Sequence, residues 1–397
     1  MQARTSAAAG FAVLAVLAAA PAAHAHKPDR VTAELTGTTL TVQGTERLDA
    51  IGLALRGEDL RVEVRGRDPR FPHAAVDTVV IRPGAGEDAV ALGDLGDTVF
   101  EGVEIDLGAD GEADEVAVTG SPGRDFASLS HFGATTFVFG LPTFSTVVGP
   151  DAGDALTLDT AAGDDQVSAQ SYPAEALALT LDGGPGDDDL AAGRGDDLVR
   201  GGAGDDFASG GRGADRARLG AGDDLFRWDP GDGSDAVAFQ SGFDGLTFVG
   251  EGAAETIDVR ADRGDVRFTR DLGDIVMELS GAERIGAFLN SGGDRVTVGD
   301  LSGTGMTGSD WSFGALDNTP DVLRVDGTRR ADHIVVTQGA TNPAGTSTSA
   351  TISGIAASVL VTGVQPDDAL DVHGLGGEDT LDASSVIPGA FALSFAQ

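Results

Sequence analysis

The chain has 397 residues with a formal net charge of -38 and no cysteine. Such an excess of acid excludes nucleic-acid binding by counterion release and attraction to an anionic membrane surface. It favours cations instead, and the lack of cysteine removes disulfides and thiol chemistry.

Residues 1–25 read as a secretory signal peptide. Arg4 supplies the basic start, AAAGFAVLAVLAAA the apolar core, and Ala23-His24-Ala25 an A-x-A cleavage site. Export through the general secretory pathway to an extracellular location follows as the expectation. No later stretch is long and apolar enough to span a bilayer.

Residues 26–182 alternate short β-prone runs with Gly/Asp/Pro punctuation, among them LTVQG, LRVEVRG, EVAVTG and ALTLD. No helical period is sustained after the signal segment. The reading is a strand-rich module.

Residues 183–227 form five consecutive blocks of nine: GGPGDDDLA, AGRGDDLVR, GGAGDDFAS, GGRGADRAR and LGAGDDLFR. Glycine recurs at the second and fourth places, as Gly184/Gly186, Gly193/Gly195, Gly202/Gly204, Gly211/Gly213 and Gly220/Gly222. Aspartate holds the sixth place without slippage, as Asp188, Asp197, Asp206, Asp215 and Asp224. The eighth place is apolar: Leu190, Val199, Ala208, Ala217 and Phe226. Glycine permits positive φ and close backbone approach, so each block gives a tight turn followed by a short strand. Two blocks then make one coil of a flattened solenoid, and the same turn stacks on itself every second block. Stacked carboxylates repel unless a cation lies between them. Carboxylate and carbonyl oxygens are the hard ligands that suit Ca²⁺. Ala208 and Ala217 are small for a core, and Ala192 and Leu219 replace the first glycine, so some sites are expected to be weak.

The block resembles the hemolysin-type, or RTX, family of nonapeptide repeats, GGxGxDxUx. The resemblance implies a parallel β-roll with Ca²⁺ between successive coils. The stacking rule then pairs blocks one and three, two and four, and three and five, for about three sites.

WDPGDGSDAV at 228–237 lies in a joint, residues 228–244, in which Trp228 is expected to cover an open coil end. Asp229, Asp232 and Asp235 suit either a further ion or a capped turn.

Residues 245–397 repeat the first module. GEDAVALGDL at 86–95 matches GGDRVTVGDL at 292–301, and DALTLDTAAGDDQV at 154–167 matches DALDVHGLGGEDTL at 368–381. This second copy stops where the first enters its nonapeptides, so it reads as truncated. In both copies Asp88, Asp165, Asp294 and Asp379 follow degenerate single turns. They are read more readily as β-corner caps than as extra calcium ligands.

Catalytic motifs are missing from the sequence: there is no HExxH, no G-x-S-x-G and no P-loop. The fold class expected is all-β, a parallel β-roll or β-solenoid with a central calcium-binding block between two strand-rich modules. The function expected is that of a secreted, non-enzymatic calcium-binding repeat protein. Two alternatives stand beside it. One is a calcium-stiffened adhesin or extracellular matrix component, with self-association or cell-surface contact. The other is a polysaccharide-active enzyme with structural calcium.

Overall fold

The computed structural model describes residues 29–96, 101–314, 319–342 and 347–397. The signal segment expected at 1–25 lies outside the described residues. Among them every regular element is a β-strand, apart from one 3₁₀ turn at His73–Ala75. No helix of the described residues is long and apolar enough to cross a membrane.

The strands form two long sheets that face each other across one core, and the chain alternates between them. In the nonapeptide block the strands Asp189–Ala191 and Phe207–Ser209 pair in parallel in the first sheet, and the ladder continues to Leu225–Trp228. In the second sheet Leu198–Ala203 pairs in parallel with Arg216–Ala221. Partners are 18 residues apart, as in Leu190↔Ala208 and Val199↔Ala217. Two blocks therefore make one coil, and the β-solenoid expected from the glycine–aspartate phase is what forms.

The eighth-place side chains point inward because alternate residues of a strand face opposite ways. Leu190, Val199, Ala208, Ala217 and Phe226 are all buried. The small Ala208 stacks between Leu190 and Phe226, so large neighbours flank the thin rung. Ala192 and Leu219, which replace first-place glycines, also turn inward and are buried.

The solenoid does not end at residue 228. Trp228 is paired with Phe248 of the next coil, stacks on its ring at 4.7 Å and is fully buried. It covers no open end because the strand Gly245–Val249 continues the first sheet directly. Inside the core the Arg270 guanidinium sits 5.2 Å from the Trp228 ring and pairs with buried Glu255.

Beyond the block the strand plan repeats. Ala50–Arg56, Asp59–Val64, Thr78–Arg82 and Ala89–Leu92 recur 206 residues later as Thr256–Asp262, Asp265–Arg270, Arg284–Leu289 and Arg295–Val298. Ala155–Asp159 and Gln166–Ser168 recur 214 residues later as Ala369–His373 and Thr380–Asp382. In each copy antiparallel meanders interrupt the parallel order, as at Phe126–Phe132, Thr135–Phe139 and Ser145–Val148. The starting edge of each sheet is likewise antiparallel, the hairpin Thr32–Thr36 with Thr39–Gln43 in one and the meander Ala50–Arg56, Asp59–Val64 and Arg70–Pro72 in the other.

Candidate metal centre

Each sixth-place aspartate sits immediately before a strand, at a corner where the chain turns from one sheet to the other. Its buried carboxylate bridges to the coil before it. The backbone N–H of Asp188 donates to Oδ1 of Asp206 at 3.0 Å, and that of Asp206 to Oδ1 of Asp224 at 3.0 Å. At the opposite corner Asp197 N–H donates to Oδ1 of Asp215 at 2.7 Å. The structure thus brings together the three block pairs that the stacking rule joins. The fifth-place aspartates form a parallel outer ladder, with Asp205 N–H on Oδ1 of Asp187 and Asp223 N–H on Oδ1 of Asp205, both at 2.8 Å and exposed.

The glycines bring backbone oxygens to the same corners. A Cβ placed on Gly202 would stand 1.8 Å from the carbonyl oxygen of Gly184, and one on Gly220 would stand 2.0 Å from that of Gly202. Gly204 and Gly222 face the carbonyls of Gly186 and Gly204 at 2.2 and 2.0 Å. At the other corner Gly211 and Gly213 face those of Gly193 and Gly195, each at 2.2 Å. Only glycine fits such columns, and eight of the ten block glycines have positive φ, Gly193 and Gly195 being the exceptions.

The carboxylates themselves divide into two classes. Oδ2 of Asp188, Asp206, Asp215 and Asp224 is buried and has no hydrogen-bond partner. Oδ2 of Asp197 instead accepts the N–H of Gly193 at 2.8 Å. Burial raises all five above the usual carboxylate range. Neighbouring carboxylates add to this and backbone N–H donors partly offset it. Asp188, Asp197 and Asp224 are pushed up to about 6, Asp206 to about 7 and Asp215 to about 8. A buried carboxylate oxygen without a donor is costly, and a cation beside it removes the cost.

These residues fit Ca²⁺ by that test. Among the described residues no three acidic or histidine side chains gather closely enough to hold a metal alone. The rest of a shell of about 6–8 oxygens would have to come from the glycine carbonyls.

The corner device extends well past the block: the sequence reading placed Asp88, Asp165, Asp294 and Asp379 at such corners and missed that they belong to continuous ladders. Asp49 N–H donates to Oδ1 of Asp88, Asp88 N–H to that of Asp114, and Asp114 N–H to that of Asp154. Glu255, Asp294, Asp321 and Asp368 form the same chain of bonds in the second copy, and Asp332 reaches Asp379. Asp88, Asp165, Asp294 and Asp379 are therefore all corner residues. The available signal was an acid directly before each alternating run, as in ADEVAV and ADHIVV. At five of these corners the second oxygen is satisfied locally. Asp49, Asp125 and Asp332 accept the N–H of Thr45, Ser121 and Thr328, four residues earlier. Asp154 and Asp368 accept that of Asp151 and Gln365, three residues earlier.

Residues 182–217 and 200–227 match the family model of the RTX calcium-binding nonapeptide repeat (4 copies). No curated sequence matches the chain.

Proposed function

We propose that this hemolysin-type RTX calcium-binding protein is a secreted, non-enzymatic repeat protein whose central β-roll is completed by Ca²⁺ at its corners. Asp188, Asp206, Asp215 and Asp224, with Asp197 at the start of its corner, would supply the carboxylates. The carbonyls of Gly184, Gly186, Gly193, Gly195, Gly202, Gly204, Gly211, Gly213, Gly220 and Gly222 line the same turns. Bound calcium would supply positive charge to oxygens that have no donor. The observation carrying this reading is the buried, unpartnered Oδ2 of Asp188, Asp206, Asp215 and Asp224.

An extracellular setting suits the chemistry, because extracellular calcium modules work with affinities of about 10⁻⁴–10⁻³ M. In low calcium the buried carboxylates oppose compaction, which keeps the chain loose for export through the general secretory pathway. The role without catalysis rests on the sequence, which carries none of the hydrolase or metalloprotease motifs. The test is circular dichroism and calorimetry of the full chain against calcium, with Asp197, Asp206 and Asp215 changed to Ala in parallel. Calcium should raise β-structure and melting temperature in the parent and much less in the variant. No calcium-dependent gain in the parent would refute the reading.

An adhesive or matrix role is favoured by one further observation. Phe126, Phe132 and Phe139 are exposed on the outer face of the first sheet, and Phe139 packs against Phe144 at 5.1 Å. The equivalent strand of the second copy, His333–Gln338, carries no phenylalanine. Retention of the chain in a cell-surface fraction, lost on changing these three to Ser, would support that role.

A further inference from the structure

We infer that the file of calcium sites continues one coil beyond the recognisable repeat on each side, through Asp165 before it and Asp235 and Asp244 after it. None of these turns has the GGxGxD spelling: the corners read TAAGDD, PGDGSD and QSGFD. The inference rests on the proposed calcium reading of the block and enlarges it.

Two independent features separate these corners from the capped ones. The first is the second carboxylate oxygen. Oδ2 of Asp165, Asp235 and Asp244 is buried and has no hydrogen-bond partner, and all three residues are at most 3% exposed. Their Oδ1 atoms already serve the ladder, accepting the N–H of Asp125 at 2.7 Å, of Asp215 at 3.0 Å and of Asp224 at 2.8 Å. Elsewhere in the flanks Thr45, Ser121 or Thr328 turns its own N–H back onto that second oxygen, and the carboxylate is complete without a metal.

The second feature is the carbonyl column. It does not stop where the repeat stops. A Cβ on Gly186 would lie 1.7 Å from the Gly163 carbonyl oxygen, one on Gly242 1.8 Å from that of Gly222, and one on Gly233 1.4 Å from that of Gly213. Each unpartnered carboxylate therefore lies at a turn where a glycine carbonyl of one coil faces a glycine of the next. The hard-oxygen donor set of the repeat is reproduced by turns of different sequence, and its ligand class is the same divalent cation.

Trp228 offers a built-in reporter, since its indole Nε1 donates to the carbonyl of Gly233 at 2.8 Å, inside the turn that ends at Asp235. In a Trp311→Phe background Trp228 is the sole tryptophan. Terbium, a hard trivalent stand-in for calcium, should then give tryptophan-sensitised emission. That emission should be lost with Asp235→Asn and kept with Asp165→Asn. Equilibrium dialysis of the full chain should count about six calcium ions, falling to about three with Asp165, Asp235 and Asp244 all changed to Asn. Asp154→Asn, at a locally completed corner, should leave the count unchanged. Absence of sensitised emission at saturating terbium, in a chain that still binds calcium, overturns the extension even where an Asn variant fails to fold. A parent count near three that the triple change does not lower overturns it as well and leaves the central reading standing. A parent that binds no calcium overturns both.

Discussion

Asp206→Asn separates a metal ligand from a corner cap by the sign of its effect. Asparagine keeps the Oδ1 acceptor for Asp188 N–H and removes the charge from a side chain whose second oxygen has no partner. Burial, with Asp188 and Asp224 as the nearest like charges, raises the Asp206 carboxyl to about 7 from an ordinary 3.8. Above pH 7 the metal-free fold therefore holds an ionised group it disfavours by no more than about 4 kcal/mol. Without calcium at pH 8 the variant should be as stable as the parent or more stable, by up to that amount. With calcium the order reverses. Asp206 is bonded to the coils on both sides, so it serves two intervals. A site filled at a hundred times its Kd contributes about 2.7 kcal/mol, and losing two removes about 5 kcal/mol. Urea unfolding in EGTA and in millimolar calcium reads both arms. A variant destabilised equally in the two conditions would refute the ligand argument and leave Asp206 as a plain cap.

Raised carboxyl pKa values also fix the pH dependence of the metal-free protein. Asp188, Asp206, Asp215 and Asp224 hold protons in the fold up to about 6, 7, 8 and 6, against 3.8 ordinarily. Their contribution is full below pH 4 and is lost as pH rises through 6 to 8. The melting temperature in EGTA should fall across that window, while calcium should flatten the fall; a rise in EGTA would contradict the burial argument. Gly202→Ala should cost several kcal/mol in thermal denaturation, because its φ is +128° and the new Cβ meets the Gly184 carbonyl. Gly57→Ala, at φ +66° with open space around it, should cost only about 1 kcal/mol. Arg270→Met should lose about 3–5 kcal/mol in both calcium conditions, since Glu255 would be left as a buried charge.

The architecture was legible because a strict phase leaves few alternatives. Glycine at the second and fourth places and an apolar eighth place dictate a turn, a strand and an inward side chain, and the 18-residue register follows. Trp228 was misplaced because an aromatic after the last repeat suggests a lid. Phe248 supplies the next rung, Phe268 meets its ring from the facing sheet at 4.8 Å, and the core simply runs on. The long aspartate ladder was hidden for another reason. Its members lie 20 to 47 residues apart outside the block, at spacings set by connections of different length, so no fixed period exposes them.

The corners fall into two kinds, according to whether a backbone N–H three or four places before the acid completes its second oxygen. In TERLD, SPGRD and TRRAD the donor residue is Thr45, Ser121 or Thr328. Its N–H folds back onto Oδ2, while its hydroxyl accepts the N–H two residues on. The carboxylate is then complete, and the corner closes by itself. In the block the equivalent residues include Gly184, Gly202 and Gly220, which are drawn into register with one another across successive coils. Their pairing tightens the stack and leaves Oδ2 of Asp188, Asp206 and Asp224 without a donor. On the proposed reading, the glycines that allow the close stack thus also leave the oxygens that a cation would serve. Asp197 differs, because Gly193 turns its N–H back onto Oδ2, whereas Oδ2 of Asp215 has no donor although Gly211 also stands outside any strand. A ladder of aspartates does not by itself imply a metal: what separates the corners is whether a backbone N–H completes the second carboxylate oxygen.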